Sequence, residues 1–300
     1  MSTLQGNGLT LGYDCFGNAR DEAMLLICGL GVQRLRWAAS FCERLAAQGF
    51  HVIRFDNRDT GESTHLTRAP VPDFAALAAA LAAGHVPAVP YTLHDLATDA
   101  MALLNALGIS CAHVVGRSMG GMVAQLLAST NGERVLSLVS IMSSTGHPGL
   151  PPTAPDVMAM LMQSVPDPRA NNAAFLAHGV AFARRIAGTR FPFDEATHRD
   201  VLQTELTRAQ GPDGMARQIA AIAATGSLRR LLARVATPTL VVHGSDDAMI
   251  PPACGRDVAD HIAGAEFLLI DGMGHDVPPA LHDRLVQAIT ANARRRRLEA

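Results

Sequence analysis

The sequence predicts an α/β fold, a mostly parallel sheet flanked by helices with an inserted helical cap, and three observations carry that prediction. Six short apolar runs show little polar alternation: residues 24–28 (MLLIC), 51–55 (HVIRF), 112–115 (AHVV), 136–141 (LSLVSI), 239–243 (TLVVH) and 266–270 (EFLLI). Such runs suit strands covered on both faces, as in a parallel sheet. Helical patterns fall between them, which implies right-handed strand–helix–strand crossovers. The rhythm stops at about His147 and resumes at Thr239, so the stretch between reads as an insertion.

Taken in order, residues 9–15 precede the parallel pattern and read as an antiparallel edge strand. Helices are expected at 37–48, 93–107, 119–130, 254–262 and 281–293; the second ends at Gly108, a residue suited to a helix C-terminus. Prolines 148, 151, 152 and 155 open the insertion, and Met- and Ala-rich helical segments follow without a convincing strand. The predicted organisation is a core of residues 1–146 and 225–300 with a helical cap lobe at 147–224.

Composition bounds the function. With 48% apolar and 17% charged residues the chain can bury a sizeable core, and a net charge of −2 gives no reason to expect a nucleic-acid partner. All 25 basic residues are arginine, which reads as compositional bias. Five scattered cysteines without a C-x-x-C read as buried thiols, neither a disulfide framework nor a zinc site. Residues 74–91 are uncharged but alanine-rich and broken by Gly84, Pro87 and Pro90, too weak to span a bilayer. No secretory pattern opens the chain, so a cytoplasmic protein without a membrane partner is expected. Nothing specifies an oligomer, and the run Arg294 to Arg297 is expected to be a solvated tail.

The chemistry begins at Gly116-Arg117-Ser118-Met119-Gly120, a G-x-S-x-G between a strand pattern and a helix pattern. A serine on so sharp a turn needs small neighbours, and the turn lifts its hydroxyl above the sheet while helix amides face developing negative charge. A serine hydroxyl also needs a base, and the base an orienting carboxylate. The loop after 239–243 (GSDDAMIPP) offers Asp246 and Asp247, and the loop after 266–270 (DGMGHDVPP) offers His275. Asp247 stands nearer the turn before the two prolines and is the preferred acid; Asp246 remains the alternative. His243 reads as structural, and a metal site built from His243, Asp246 and His275 lacks a dense ligand cluster. Two backbone amides, Leu30 in the Cys28-Gly29-Leu30-Gly31 turn and Met119, are candidate oxyanion donors.

These stretches, with 51–63 (HVIRFDNRDTGES) and 91–109, resemble single-chain esterases of the α/β-hydrolase fold over nearly the whole chain, nearest the aclacinomycin methylesterase group. The resemblance implies a Ser118–His275–Asp247 triad, no cofactor and no metal, and a small-molecule ester substrate of apolar or polyketide-like character. It departs at Cys28, where many relatives carry histidine. Asp56 and Arg58 are expected to brace loops behind the site, and Arg117 to pair with a neighbouring carboxylate. Met158, Met160, Met162 and Met215 and the phenylalanines of the cap either line an apolar pocket or pack on the sheet domain; Met158, Met162 and Trp37 are the pocket candidates. Lactone or C–C bond hydrolysis, or cofactor-free perhydrolysis of the haloperoxidase kind, would use the same three residues. A ligand-binding protein on this scaffold is a further alternative. Epoxide hydrolases and dehalogenases of this fold are disfavoured, because their nucleophile is aspartate.

Overall fold

A single eight-stranded sheet organises the chain, in a computed structural model that describes residues 2–208, 211 and 213–298, with only the backbone of 296–298. Its strands are β1 (Ser2–Gly6), β2 (Leu9–Phe16), β3 (Glu22–Ile27), β4 (Phe50–Phe55), β5 (Ala112–Arg117), β6 (Val135–Ile141), β7 (Thr239–Gly244) and β8 (Glu266–Ile270). They lie in the order β1-β2-β4-β3-β5-β6-β7-β8. The six strands from β4 to β8 pair in parallel, and the β1–β2 hairpin adds antiparallel to β4. β5, which ends at the candidate serine, is thus central and fully covered.

The helices are α1 (Ala39–Ala46), α2 (Phe74–Ala82), α3 (Leu93–Ala106), α4 (Met119–Thr130), α5 (Pro155–Leu161), α6 (Asn172–Ile186), α7 (Glu195–Thr207), α8 (Gly214–Thr225), α9 (Arg229–Leu232), α10 (Pro252–Asp260) and α11 (His282–Leu298). Two apolar layers sandwich the sheet. On one face α3, α4 and α10 bury Leu96, Leu103, Val123, Leu126, Leu127 and Val258 against Leu25, Ile27 and Val114. On the other, α1 and α11 bury Phe41, Leu45, Leu285 and Ile289 against Met24, Leu26, Val115 and Val242. The alternating partition of β3 between the two layers is the period-2 geometry of a strand with both faces covered.

Helices α5 to α9 lie between β6 and β7; α8 packs against α2 and α3, and hydrogen bonds from α5 to α8 and their connections reach loops at the carboxyl ends of the strands. Buried ion pairs fasten them. Arg217 on α8 grips both carboxylate oxygens of Asp59 at 2.8 Å, Arg208 pairs with Asp56 at 2.7 Å, and Glu205 on α7 takes Arg36 at 2.7 Å. Asp56 also receives Arg34, and Arg58 holds Asp99 at 2.6 Å, so these residues brace loops.

Three expectations change. β1 is an additional edge strand, and α2 occupies the charge-free stretch, capped by Asp73 accepting from the Ala75 and Ala76 amides. The arginine run is helical where a solvated tail was expected: it continues α11 with Arg294 exposed, and Arg295 pairs with Glu266 at 3.1 Å. The side chains of Arg296 and Arg297 lie outside the described residues. Among the described residues no helix is long and apolar enough to cross a membrane, and no cluster of three or more His, Cys, Asp or Glu is placed to hold a metal.

Candidate active site

Ser118 occupies the one-residue joint between β5 and α4, with φ 54° and ψ −126°. A non-glycine residue rarely adopts this conformation, which costs on the order of 1–3 kcal/mol unless the surroundings enforce it. They do. A Cβ on Gly120 would fall 2.5 Å from the Cys28 carbonyl oxygen and nearer still to that of Ile27, and one on Gly116 would lie 2.7 Å from the Gly121 nitrogen. The two glycines therefore let the turn close against β3. The Ser118 amide donates to Ile141 O at 2.9 Å, and its carbonyl accepts from Ser143 Oγ at 2.8 Å, which pins the joint to β6.

Asp247 and His275 come from the loops after β7 and β8, neighbouring parallel strands. His275 Nδ1 lies 2.7 Å from Asp247 Oδ2. The other carboxylate oxygen accepts from the Met249 and Ile250 amides at 3.0 and 2.8 Å, a closed turn that leads into the prolines opening α10. A carboxylate takes its hydrogen bond from a protonated Nδ1, so the tautomer leaves Nε2 free to accept a proton. Burial pushes the Asp247 carboxyl up, but His275 and then His243 outweigh it and hold the group well below the usual carboxylate range. His243, expected to be structural, is thus a second imidazole on this acid: its Nε2 lies 3.3 Å from Asp247 Oδ2 and 2.8 Å from Ile250 O. Asp246 turns away and takes hydroxyls from Ser245 and Thr189.

The turn after β3 touches the serine directly. A Cβ on Gly29 would sit 3.1 Å from Ser118 Cβ and 3.6 Å from Oγ. Among the described residues neither the Leu30 nor the Met119 amide has a hydrogen-bond partner, and no hydrogen bond joins Ser118 Oγ to His275. The chain neighbours of serine and histidine nevertheless meet, Arg117 reaching Asp276 at 3.9 Å. Arg117 also donates to Arg36 O at 3.1 Å. At the departure from the resemblance, the buried Cys28 thiol points to Gln33 O at 3.5 Å, and burial pushes its pKa well up. The Cys28 carbonyl is instead supported by Asn57 Nδ2 at 3.1 Å, a contact between loops that no spacing announces.

The pocket candidates differ in burial. Trp37 is 1% exposed, stacked on Phe41 in the lower apolar layer with Arg117 over its ring, so it is core and not a pocket edge. Met158 and Met162 on and after α5 are 43% and 78% exposed. Met215 is the cap methionine at the serine side: its Sδ would lie 3.3 Å from a Cβ on Gly31.

This topology, with a serine joint on the central strand and an acid–histidine pair two loops away, defines a class of protein. The chain belongs to the alpha/beta hydrolase fold family, whose model matches residues 22–278. It is 33% identical to rhodomycin D methylesterase DauP of Streptomyces sp. strain C5 and 32% identical to rhodomycin D methylesterase DnrP of Streptomyces peucetius, in each case over 95% of both chains. The fold is shared with the enol-lactonase from Burkholderia xenovorans LB400, at a TM-score of 0.71 and 23% identity over 97% of this chain and 99% of that one.

Proposed function

We propose that the chain is a cofactor-free serine esterase that hydrolyses a methyl ester carried on an apolar, polyketide-like ring system. The observation that carries the reaction type is the strained Ser118 joint after β5, with a buried carboxylate bonded to His275 Nδ1 on loops at the same end of the parallel sheet. Ester hydrolysis and the substrate class draw their support from the two methylesterase relatives.

In this reading His275 Nε2 takes the hydroxyl proton as Ser118 Oγ attacks the ester carbonyl, and the oxyanion lies between the Leu30 and Met119 amides. Asp247 steadies the imidazolium that forms. His275 then protonates the departing alkoxide, methanol leaves, and a water deprotonated by the same nitrogen releases the acid. Both amides are free to receive the charge without first giving up a protein partner, which is what a preorganised hole requires. The inserted helices act as a cap whose apolar surface faces the substrate.

The test is methanol release from anthracycline-type methyl esters, with short p-nitrophenyl esters in parallel. Ser118→Ala is expected to abolish both while the far-ultraviolet spectrum is unchanged, and a fluorophosphonate probe to label Ser118. Turnover persisting in the variant would reject the mechanism.

A further inference from the structure

Each loop of the site is held by a different part of the inserted helices. On the acid loop Thr153 Oγ1 donates to Met249 O at 2.7 Å and the Ala154 amide to Ala248 O at 2.8 Å. On the histidine loop the His275 amide donates to Ile186 O at 2.6 Å and the Gly274 amide to Ala187 O at 3.2 Å. On the third loop, after β3, Glu205 of α7 takes the Gln33 side-chain amide on its carbonyl oxygen at 3.0 Å, and the turn beside Ser118 is held by one further side chain. Gln218 of α8 accepts the Gly31 amide on Oε1 at 2.8 Å and donates Nε2 to Arg58 O at 2.9 Å.

Gln218 is fully buried and makes both bonds in only one orientation, because turning the amide would set donor against donor and acceptor against acceptor. Its backbone is fixed by the preceding residue, since the Arg217 guanidinium grips both oxygens of Asp59 and Asp59 also receives the Tyr91 hydroxyl at 2.7 Å. Gly31 has φ 67°, a left-handed turn that its own side chain does nothing to stabilise. The peptide that Gln218 holds shares the Leu30 Cα with the peptide whose N–H is the candidate oxyanion donor. Fixing the first limits rotation of the second.

We infer that Gln218 is a positioning residue that aims the Leu30 amide at the oxyanion by anchoring Gly31. The inference rests on the Ser118 reading above. Without the anchor the Gly31 amide loses its protein acceptor, and the turn relaxes by rotating toward another acceptor or toward water. Such a rotation weakens an interaction made only in the transition state, so it lowers kcat and leaves KM in place.

The test compares Gln218→Met, which keeps length and loses both bonds, with Gln218→Glu, which keeps the acceptor for Gly31. Active sites are counted by fluorophosphonate titration, so that only folded enzyme enters the rates. Loss of a whole oxyanion donor costs about 10²- to 10³-fold in rate, so partial misalignment in Gln218→Met is expected to cost about 10- to 100-fold in kcat, with KM within about twofold. Gln218→Glu should recover at least part of that loss. The Ki of a trifluoromethyl ketone, whose hemiketal oxyanion fills the hole, should rise by the same factor as kcat/KM falls, while product-acid inhibition stays constant. Should Gln218→Met not accumulate as folded protein, Gln218→Asn, whose shortened chain withdraws the acceptor, takes its place with the same expected losses. Unchanged kcat, or a trifluoromethyl ketone Ki that does not follow kcat/KM, overturns the inference. If wild-type Ser118 resists the fluorophosphonate, the esterase reading fails; if it labels and the variants keep kcat, only the role of Gln218 falls.

Discussion

Replacing Gly120 with alanine tests whether the joint between β5 and α4 is as tight as its glycines imply. The added Cβ would stand 2.5 Å from the Cys28 carbonyl oxygen, just after β3, and nearer still to the Ile27 carbonyl oxygen that ends it. An ordinary carbon–oxygen contact needs about 3.3 Å, so at least roughly 0.8 Å must be gained by moving α4 away from the end of β3 and the turn after it. Those two segments carry Met119 and Leu30. A misplacement of about 1 Å in a site costs on the order of 10²-fold, so kcat/KM should fall about 50- to 100-fold, equivalent to about 2.5 kcal/mol of transition-state stabilisation. The stability effect is smaller, because overpacking of about 1–3 kcal/mol is offset by about 1 kcal/mol of helix propensity. The assay pairs steady-state hydrolysis of a p-nitrophenyl ester with thermal unfolding, and Gly132→Ala is the control, since a Cβ there meets nothing within 4 Å. Wild-type kcat/KM in Gly120→Ala, or equal losses in both variants, would refute the reasoning.

Two further substitutions follow from the buried carboxylates. Asp247→Asn is expected to lower kcat by about 10⁴-fold with KM nearly unchanged, because an amide in that place favours the tautomer with Nε2 protonated and unable to accept; stopped assays at substrate saturation read this directly. Arg217→Met should cost about 3–5 kcal/mol in urea unfolding, since it leaves the Asp59 carboxylate buried with only the Tyr91 hydroxyl and the Leu66 amide. Asp59 is pushed up by burial but pulled below its usual range by Arg217, Tyr91 and Leu66. Its contribution is therefore complete above the ordinary carboxylate pKa of about 3.9 and is lost as pH falls toward the folded value. Wild type should weaken through that acid window more steeply than Asp59→Asn, as followed by denaturation midpoints.

The sheet was legible because its strands are short and apolar throughout, a pattern that a doubly covered strand leaves in sequence; α4 falls at residues 119–130 as its periodicity predicts. The G-x-S-x-G pattern put Ser118 at a strand–helix joint, and the loops after two later strands offered Asp247 and His275, which the fold brings within 2.7 Å of each other. What could not be read depends on contacts between distant residues or on side-chain direction. Gln218 lies 187 residues from Gly31, and Arg217 lies 158 from Asp59, so neither bond has a local signature. Trp37 was drawn toward the pocket by closeness in chain to Leu30, yet the turn of the chain directs its ring into the layer under α1. α2 was missed because its uncharged, alanine-rich residues give little amphipathic contrast, although Asp73 ahead of Phe74 is a start signal.

The distribution of these contacts separates precision from selectivity within one insertion. The buried charged and amide side chains that fasten it to the core lie on α7, α8 and the segment between them, at Glu205, Arg208, Arg217 and Gln218. The acid and histidine loops are held through backbone atoms at Ala154, Ile186 and Ala187, together with the half-buried side chains of Thr153 and His198. α5 presents exposed methionines instead, and Met158 and Met162 make no bond that positions Asp247, His275 or Leu30. Substitutions there remove little packing and leave the hydrogen bonds to the three loops intact, whereas substitutions on the buried face of α8 disturb the turn beside Ser118. On the proposed reading, substrate preference can drift through α5 while the reacting groups stay in register, which accounts for an insertion whose sequence reveals so little supporting a site whose loops are so closely held.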